Sequence, residues 1–226
     1  MPDKIRLTIL ESHQSVIDGY AFRLSMAPDI EIVAAIHYSN QLLPALAAHP
    51  ADILILDFNI CVSATEPQLV PIFPLISTLK LKYPHLAIVI ITMFKEVILL
   101  KLALENGVSG YLFKDDRTQI RRLGSILRSI VAGGTFLSEQ ANELYLSTLN
   151  SAPLLTMRQI EILSLSIANP DITTELIAKE LDLAHSTVRN TLSQAYKKLG
   201  VTNHMAAIIK AREIGLVSPF IQPTTS

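Results

Sequence analysis

The sequence predicts an α/β chain in two parts, a doubly wound five-stranded parallel sheet followed by a small all-α domain that contains a helix-turn-helix. Three observations carry this. Short apolar runs alternate with helix-length segments through the first half, no strand candidate remains beyond Thr156, and half of the 226 residues are hydrophobic against 17% charged. Such a composition can fill a core and is not that of a disordered chain.

The strand candidates are Ile5 to Leu10, Ile30 to Ile36, Asp52 to Asp57, Ala87 to Thr92 and Gly110 to Phe113. The segments between them are long enough for a helix, the usual crossover between parallel neighbours. The third and fourth runs, ILIL and AIVII, are apolar on both faces, as strands covered by helices on two sides must be. Residues 1–130 form this first domain. Gly133 and Gly134 end its last helix, and Ser138 opens a further helix within a linker over 131–152 that breaks at Asn150 to Pro153. Residues 153–226 form the second domain, with helices over Thr156 to Ala168, Thr173 to Leu181, Ser186 to Leu199 and Asn203 to Glu213.

Several function classes are excluded at this level. One cysteine, Cys61, allows no intramolecular disulfide, and the six histidines are scattered without ligand spacing, so no His/Cys metal cage is expected. The start, MPDKIRLTIL, lacks the layout of a signal peptide, and no apolar run is long enough to cross a bilayer; a soluble, cytoplasmic protein without membrane partners is expected. Net charge is −1, with 12 Lys and Arg against 14 Asp and Glu in residues 1–150 and 7 against 6 in the remainder. No global basic signature points to nucleic acid; the tilt toward the second domain is slight.

Chemistry-bearing residues gather at the strand ends. Glu11-Ser12-His13 follows the first strand, Asp57 closes the third, Thr92 closes the fourth and Lys114 follows the fifth. In a parallel sheet these places converge on one edge. Carboxylates, a hydroxyl and an ammonium together suit a phosphoryl group: a carboxylate as nucleophile, a carboxylate-held divalent cation to neutralise charge, and Lys and Thr to hold the product oxygens.

The strings ILESH, DILILDFN, IVIITM and GYLFKDD resemble the receiver domain of two-component response regulators over about residues 4–130. The resemblance implies a flavodoxin-like sheet, Asp57 as phosphoacceptor, Thr92 as the switch hydroxyl, Tyr111 as the aromatic switch and Lys114 as the phosphate-binding lysine. It also implies a sensor histidine kinase as partner and Mg²⁺ held by Glu11, Asp57 and the backbone carbonyl of Asn59. The chain departs from the pattern where Ser12 replaces the second acid that contacts the metal, so Mg²⁺ binding should be weak or absent. The segment Cys61 to Pro74, with Pro67, Pro71 and Pro74, lacks the family's landmarks. Control is expected either through phosphorylation at Asp57 or through phosphate-independent dimerisation. A hydrolase is not expected, because Asn59 stands where an aspartate-nucleophile phosphatase keeps its acid. Cys61 reads as a small apolar residue rather than a redox sensor.

The segment VILLKLAL over Val97 to Leu104 is apolar nearly all round, which predicts an exposed interface strip through Val97, Leu100 and Leu104 and a homodimer built on it. Cover by the chain's own second domain is the alternative. In the second domain, Val188, Leu192, Ala195 and Leu199 form a buried stripe, while Ser186, Arg189, Asn190, Ser193 and Lys197 face the other way with Gln194 and Lys198 beside them. Those side chains can bond base edges and phosphates, and such a helix suits the major groove of double-stranded DNA. LTMRQIEIL, IAKELDLAHSTVRNTL, KKLGV and IGLV resemble the LuxR-type (NarL/FixJ) helix-turn-helix over about residues 154–218. The resemblance implies that Leu155, Thr156, Arg158 and Glu161 tie down the first helix and that Ser186, Thr187, Arg189 and Asn190 read sequence, with Lys179, Lys197 and Lys198 at phosphates. Thr191 where a His is common, and a longer loop from Ala168 to Thr174 with Pro170, depart from it. The expected function is a transcriptional response regulator; the rival is a receiver-like interaction module with weak or no DNA binding.

Overall fold

A computed structural model describes residues 4–66, 68–147, 155–169 and 171–213. The sheet is built from β1 (Ile5–Leu10), β2 (Ile30–Ile36), β3 (Ile53–Leu56), β4 (Ala87–Thr92), β5 (Gly110–Phe113) and β6 (Phe136–Leu137). Its order is β2-β1-β3-β4-β5-β6, and every pairing is parallel. All residues of β3 and β5 are buried, as is β4 beyond its first residue, because helices cover both faces. One apolar core, around Leu54, Leu56, Ile88 and Ile90, lies on one side; the other, around Leu7, Ile9, Ile55 and Val89, lies on the opposite side.

The crossovers are α1 (Gln14–Leu24), α2 (Leu42–Ala48), α3 (Ile72–Lys82) and α4 (Val97–Glu105). After β5, two short helices, α5 (Arg117–Arg121) and α6 (Leu123–Val131), are separated at Arg122, where the backbone leaves helical geometry. The sixth strand, not expected from the sequence, is two residues long. The chain turns through Gly133, at φ +89°, and Phe136 and Leu137 then pair with Gly110 and Tyr111. Two residues cannot display a periodicity, so this strand leaves no sequence signal. The first part of the predicted linker thus belongs to the sheet.

The expected interface strip on α4 is corrected at Leu100. Leu100 is 0% exposed and Val97 and Leu104 are half-buried. Helix α7 (Glu139–Leu146), capped by Ser138, packs against α4, with Ala141 fully buried and Leu144 and Tyr145 resting on the same core. The second apolar face of α4 is covered by the chain itself, which is why VILLKLAL needs no polar side.

The second domain comprises α8 (Met157–Ala168), α9 (Thr174–Glu180), α10 (His185–Leu199) and α11 (His204–Glu213), close to the expected bounds. Thr156 and Gln159 form a reciprocal cap at the start of α8, and Thr173 caps α9. Gly200 at φ +69° ends α10, with its amide on Lys197 and the Val201 amide on Tyr196. Pro67, Pro170, the linker from 148 and the chain from 214 lie outside the described residues. The domains meet along a cleft of about 270 Å³ lined by Phe73, Ser77 and Asn106 on one side and Arg158, Ile160 and Glu161 on the other.

Candidate functional site

Sheet register builds the first site. Leu10 pairs with Leu56, so the next residues, Glu11 and Asp57, leave β1 and β3 side by side at the point where strand order reverses. The Lys114 amide donates to the Thr92 carbonyl at 2.8 Å, which brings the lysine back over the same edge. Its Nζ lies 2.8 Å from Asp57 Oδ2 and 2.6 Å from Glu11 Oε2. Asp57 and Glu11 are 4% and 1% exposed, so one ammonium is shared by two carboxylates withdrawn from water.

The remaining carboxylate oxygens are also occupied. Asp57 Oδ1 accepts from the Phe58 amide at 2.8 Å, and Glu11 Oε1 accepts from the His13 amide at 2.9 Å with His13 Nδ1 at 3.1 Å. Ser12 does not join them: its Oγ lies 3.0 Å from His13 Nδ1. His37 Nδ1 sits 3.1 Å from the Glu11 carbonyl oxygen and anchors the loop from β2. The roles of His13 and His37 were not legible beforehand, since they depend on loop paths rather than on motif position. Asn59 follows Asp57 in the same loop and is half-buried.

Behind Asp57, Thr92 and Tyr111, the two expected switch residues, sit inward. The Thr92 hydroxyl is buried and accepts from the Phe94 amide at 3.3 Å. The Tyr111 ring is fully buried, with its hydroxyl donating to the Phe94 carbonyl at 3.4 Å. Its centroid lies 6.2 Å from that of Phe58 and 5.7 Å from that of Phe113. Burial, with the charges of Glu96 and Asp57, raises the Tyr111 pKa. Phe58 was missed as a functional residue: it links the Asp57 backbone to the Tyr111 ring, and its only sequence signal is its place after the aspartate. Tyr20, on α1, is buried with no hydrogen-bond partner for its hydroxyl among the described residues; burial and then Glu11 and Asp57 raise its pKa. Burial also pushes the Cys61 thiol up, which opposes the thiolate a redox sensor requires.

The second site is the outer face of α10. Ser186, Thr187, Arg189, Asn190, Ser193, Gln194, Lys197 and Lys198 are all exposed, as is Lys179 on α9, while Val188, Leu192, Ala195 and Leu199 are buried. Thr191 is half-buried between the two faces. His185 Nε2 lies 2.7 Å from Thr174 Oγ1 and 3.1 Å from Glu175 Oε1, tying the start of α10 to the start of α9. The turn between them passes through Asp182 at φ +51°. Leu155 is buried and Arg158 pairs with Glu161 at 2.6 Å, so these four N-terminal positions hold α8 as the resemblance implied.

The fold and the two sites define a two-domain chain, a receiver-like α/β domain joined to a helix-turn-helix domain. Residues 153–211 match the family described as "Bacterial regulatory proteins, luxR family". The chain is 28% identical over 216 residues to the transcriptional regulatory protein DesR of Bacillus subtilis, covering 93% of this chain and 98% of that protein. It is 26% identical to the "Probable transcriptional regulatory protein NarL" of Mycobacterium tuberculosis over 213 residues, covering 93% and 94%. Among solved structures, RcsB of Salmonella enterica serovar Typhimurium bound to promoter rprA superposes with a TM-score of 0.66 at 21% identity, covering 92% of this chain and 98% of that one. Residues 153–211 thus carry the luxR-type match, and along nearly its whole length the chain is similar to transcriptional regulatory proteins of the NarL and DesR kind.

Proposed function

We propose that this chain regulates transcription by binding double-stranded DNA through α10, under control of its receiver half. The observation that carries this is the outer face of α10. Its base-reading and phosphate-binding side chains are exposed together, and the cleft between the domains is lined by other residues of the helical domain, Arg158, Ile160 and Glu161 at the start of α8. Ser186, Thr187, Arg189 and Asn190 read base edges, and Lys179, Lys197 and Lys198 hold phosphates. The family match and the names of the relatives support the same reading. The chain acts as a dimer on paired half-sites, a spacing that a two-fold assembly of such helices demands. It carries out no catalysis of its own.

The receiver half supplies the control. Asp57, Lys114, Thr92 and Tyr111 form one connected set from the sheet edge to the aromatic core, and the Ser138 amide donates to the Tyr111 carbonyl at 3.0 Å, joining that set to α7. The state of the Asp57 pocket is what this half passes on to α7.

A gel-shift titration with the full chain at rising salt tests the DNA reading. Binding is expected to weaken steeply with salt, with a slope of about −0.9 per phosphate neutralised. Absence of binding at low salt, to specific and random duplexes alike, favours the rival interaction module.

A further inference from the structure

We propose that the Glu11–Asp57–Lys114 pocket works as a metal-free ion-pair lock that neither binds a divalent cation nor accepts a phosphoryl group, and that Ser12 is the residue responsible. This rests on the reading of the first half as the regulatory domain and specifies how that domain operates.

The donor set does not fit Mg²⁺. This ion demands near-octahedral oxygen coordination and gives up water reluctantly, so a protein site must offer it uncommitted anionic oxygens. All four carboxylate oxygens of Glu11 and Asp57 are already engaged by donors from the chain: Lys114 on two of them, the Phe58 amide on the third, and the His13 amide on the fourth. Glu11 and Asp57 exceed the single ammonium by one negative charge; a carboxylate at position 12 would raise that excess to two and would draw in a divalent cation. Ser12 contributes no charge, and its hydroxyl is turned to His13. Among the described residues no three His, Cys, Asp or Glu side chains are arranged to hold a metal ion. Among the described residues Lys114 is the only lysine or arginine paired with the two carboxylates, and its side chain is 12% exposed.

Without a cation, phosphoryl transfer to Asp57 is blocked electrostatically. Asp57 would have to form a P–O bond while the P–O bond to the donor's leaving group breaks and that group departs with the electron pair. The incoming dianion would meet Glu11 and Asp57 with Lys114 already committed. A receiver in this state takes its signal from an input other than phosphate. The inward Tyr111 and Thr92 are then held by packing, through Phe58, Phe113 and the Phe94 backbone.

The test uses the full chain, its Ser12→Asp variant and its Ser12→Asn variant, each checked for folding by circular dichroism. Two readouts are taken: the shift in melting temperature on adding MgCl2 alone, and intact mass after acetyl phosphate with MgCl2. The wild type and Ser12→Asn are expected to show no Mg²⁺-dependent shift and no added phosphoryl group. Ser12→Asp is expected to gain both, with labelling at least about tenfold above the wild type. Labelling of the wild type, or a Mg²⁺ shift in it, overturns the lock. Failure of a folded Ser12→Asp to gain either property overturns the assignment to Ser12. Neither outcome touches the DNA reading, which stands or falls on the salt titration.

Discussion

At the scale of single residues, Lys114 and Arg189 hold the two halves of the account. Removing the Lys114 ammonium leaves Glu11 and Asp57 buried together with no counter-charge. Lys114→Met is therefore expected to lower unfolding free energy by about 3–5 kcal/mol, measured from the denaturant midpoint, because an uncompensated buried charge is far costlier than a missing pair. Adding Glu11→Gln to that variant should recover part of the loss, whereas independent roles would make the two substitutions additive. Arg189 is exposed on the outer face of α10. Arg189→Ala should cost about 1–3 kcal/mol on a preferred duplex and less on a random one, read by fluorescence anisotropy. Equal losses on both would confine Arg189 to the backbone.

At the scale of elements, most of the architecture could be read from the sequence, and the failures have physical causes. The five main strands and the four helices of the second domain announce themselves because their apolar residues repeat at the strand or helix period; β1, β2, β4 and β5 match the expected bounds. Leu100 on α4 could not be assigned from the sequence, because an apolar face looks the same whether its cover is a second molecule or a helix some forty residues on in the same chain. In the pocket, Asp57, Glu11 and Lys114 were legible from strand-end position, while Phe58, His13 and His37 were not, since loop paths alone place them. Two helix-end contacts make measurable predictions. Gly200 adopts a positive φ that only glycine tolerates freely, so Gly200→Ala should destabilise the second domain by about 1 kcal/mol. Arg128 on α6 grips Asp29 through Nε and Nη2 at 2.6 and 2.7 Å. The guanidinium holds the Asp29 pKa at about 2, below its ordinary 3.8. The pair therefore contributes stability above the ordinary value and loses it as pH falls toward about 2. Arg128→Ala should be slightly less stable than the wild type near neutral pH, with the gap closing across that acid window.

At the scale of the whole molecule, the receiver and the helical domain are joined through a segment that is part of the receiver's own structure. Strand β6 pairs with Gly110 and Tyr111, and α7 lies over α4, so any movement of the Tyr111 backbone is carried into the linker before the second domain is reached. Ala141→Arg, which forces a charge into the fully buried contact of α7, should loosen this segment and raise amide exchange across residues 138–146 while leaving β1 and β3 protected. If exchange there were unchanged, α7 would have no part in holding the switch face.

The claim that the outer face of α10 reads DNA sequence is tested most directly by selecting duplexes from a random pool with the full-length protein. The expected result is enrichment of a sequence with two related half-sites about one helical turn apart, and loss of that enrichment in Arg189→Ala. A pool that returns with no sequence preference, from a protein shown to be folded, would contradict the assignment of α10 as the reading helix.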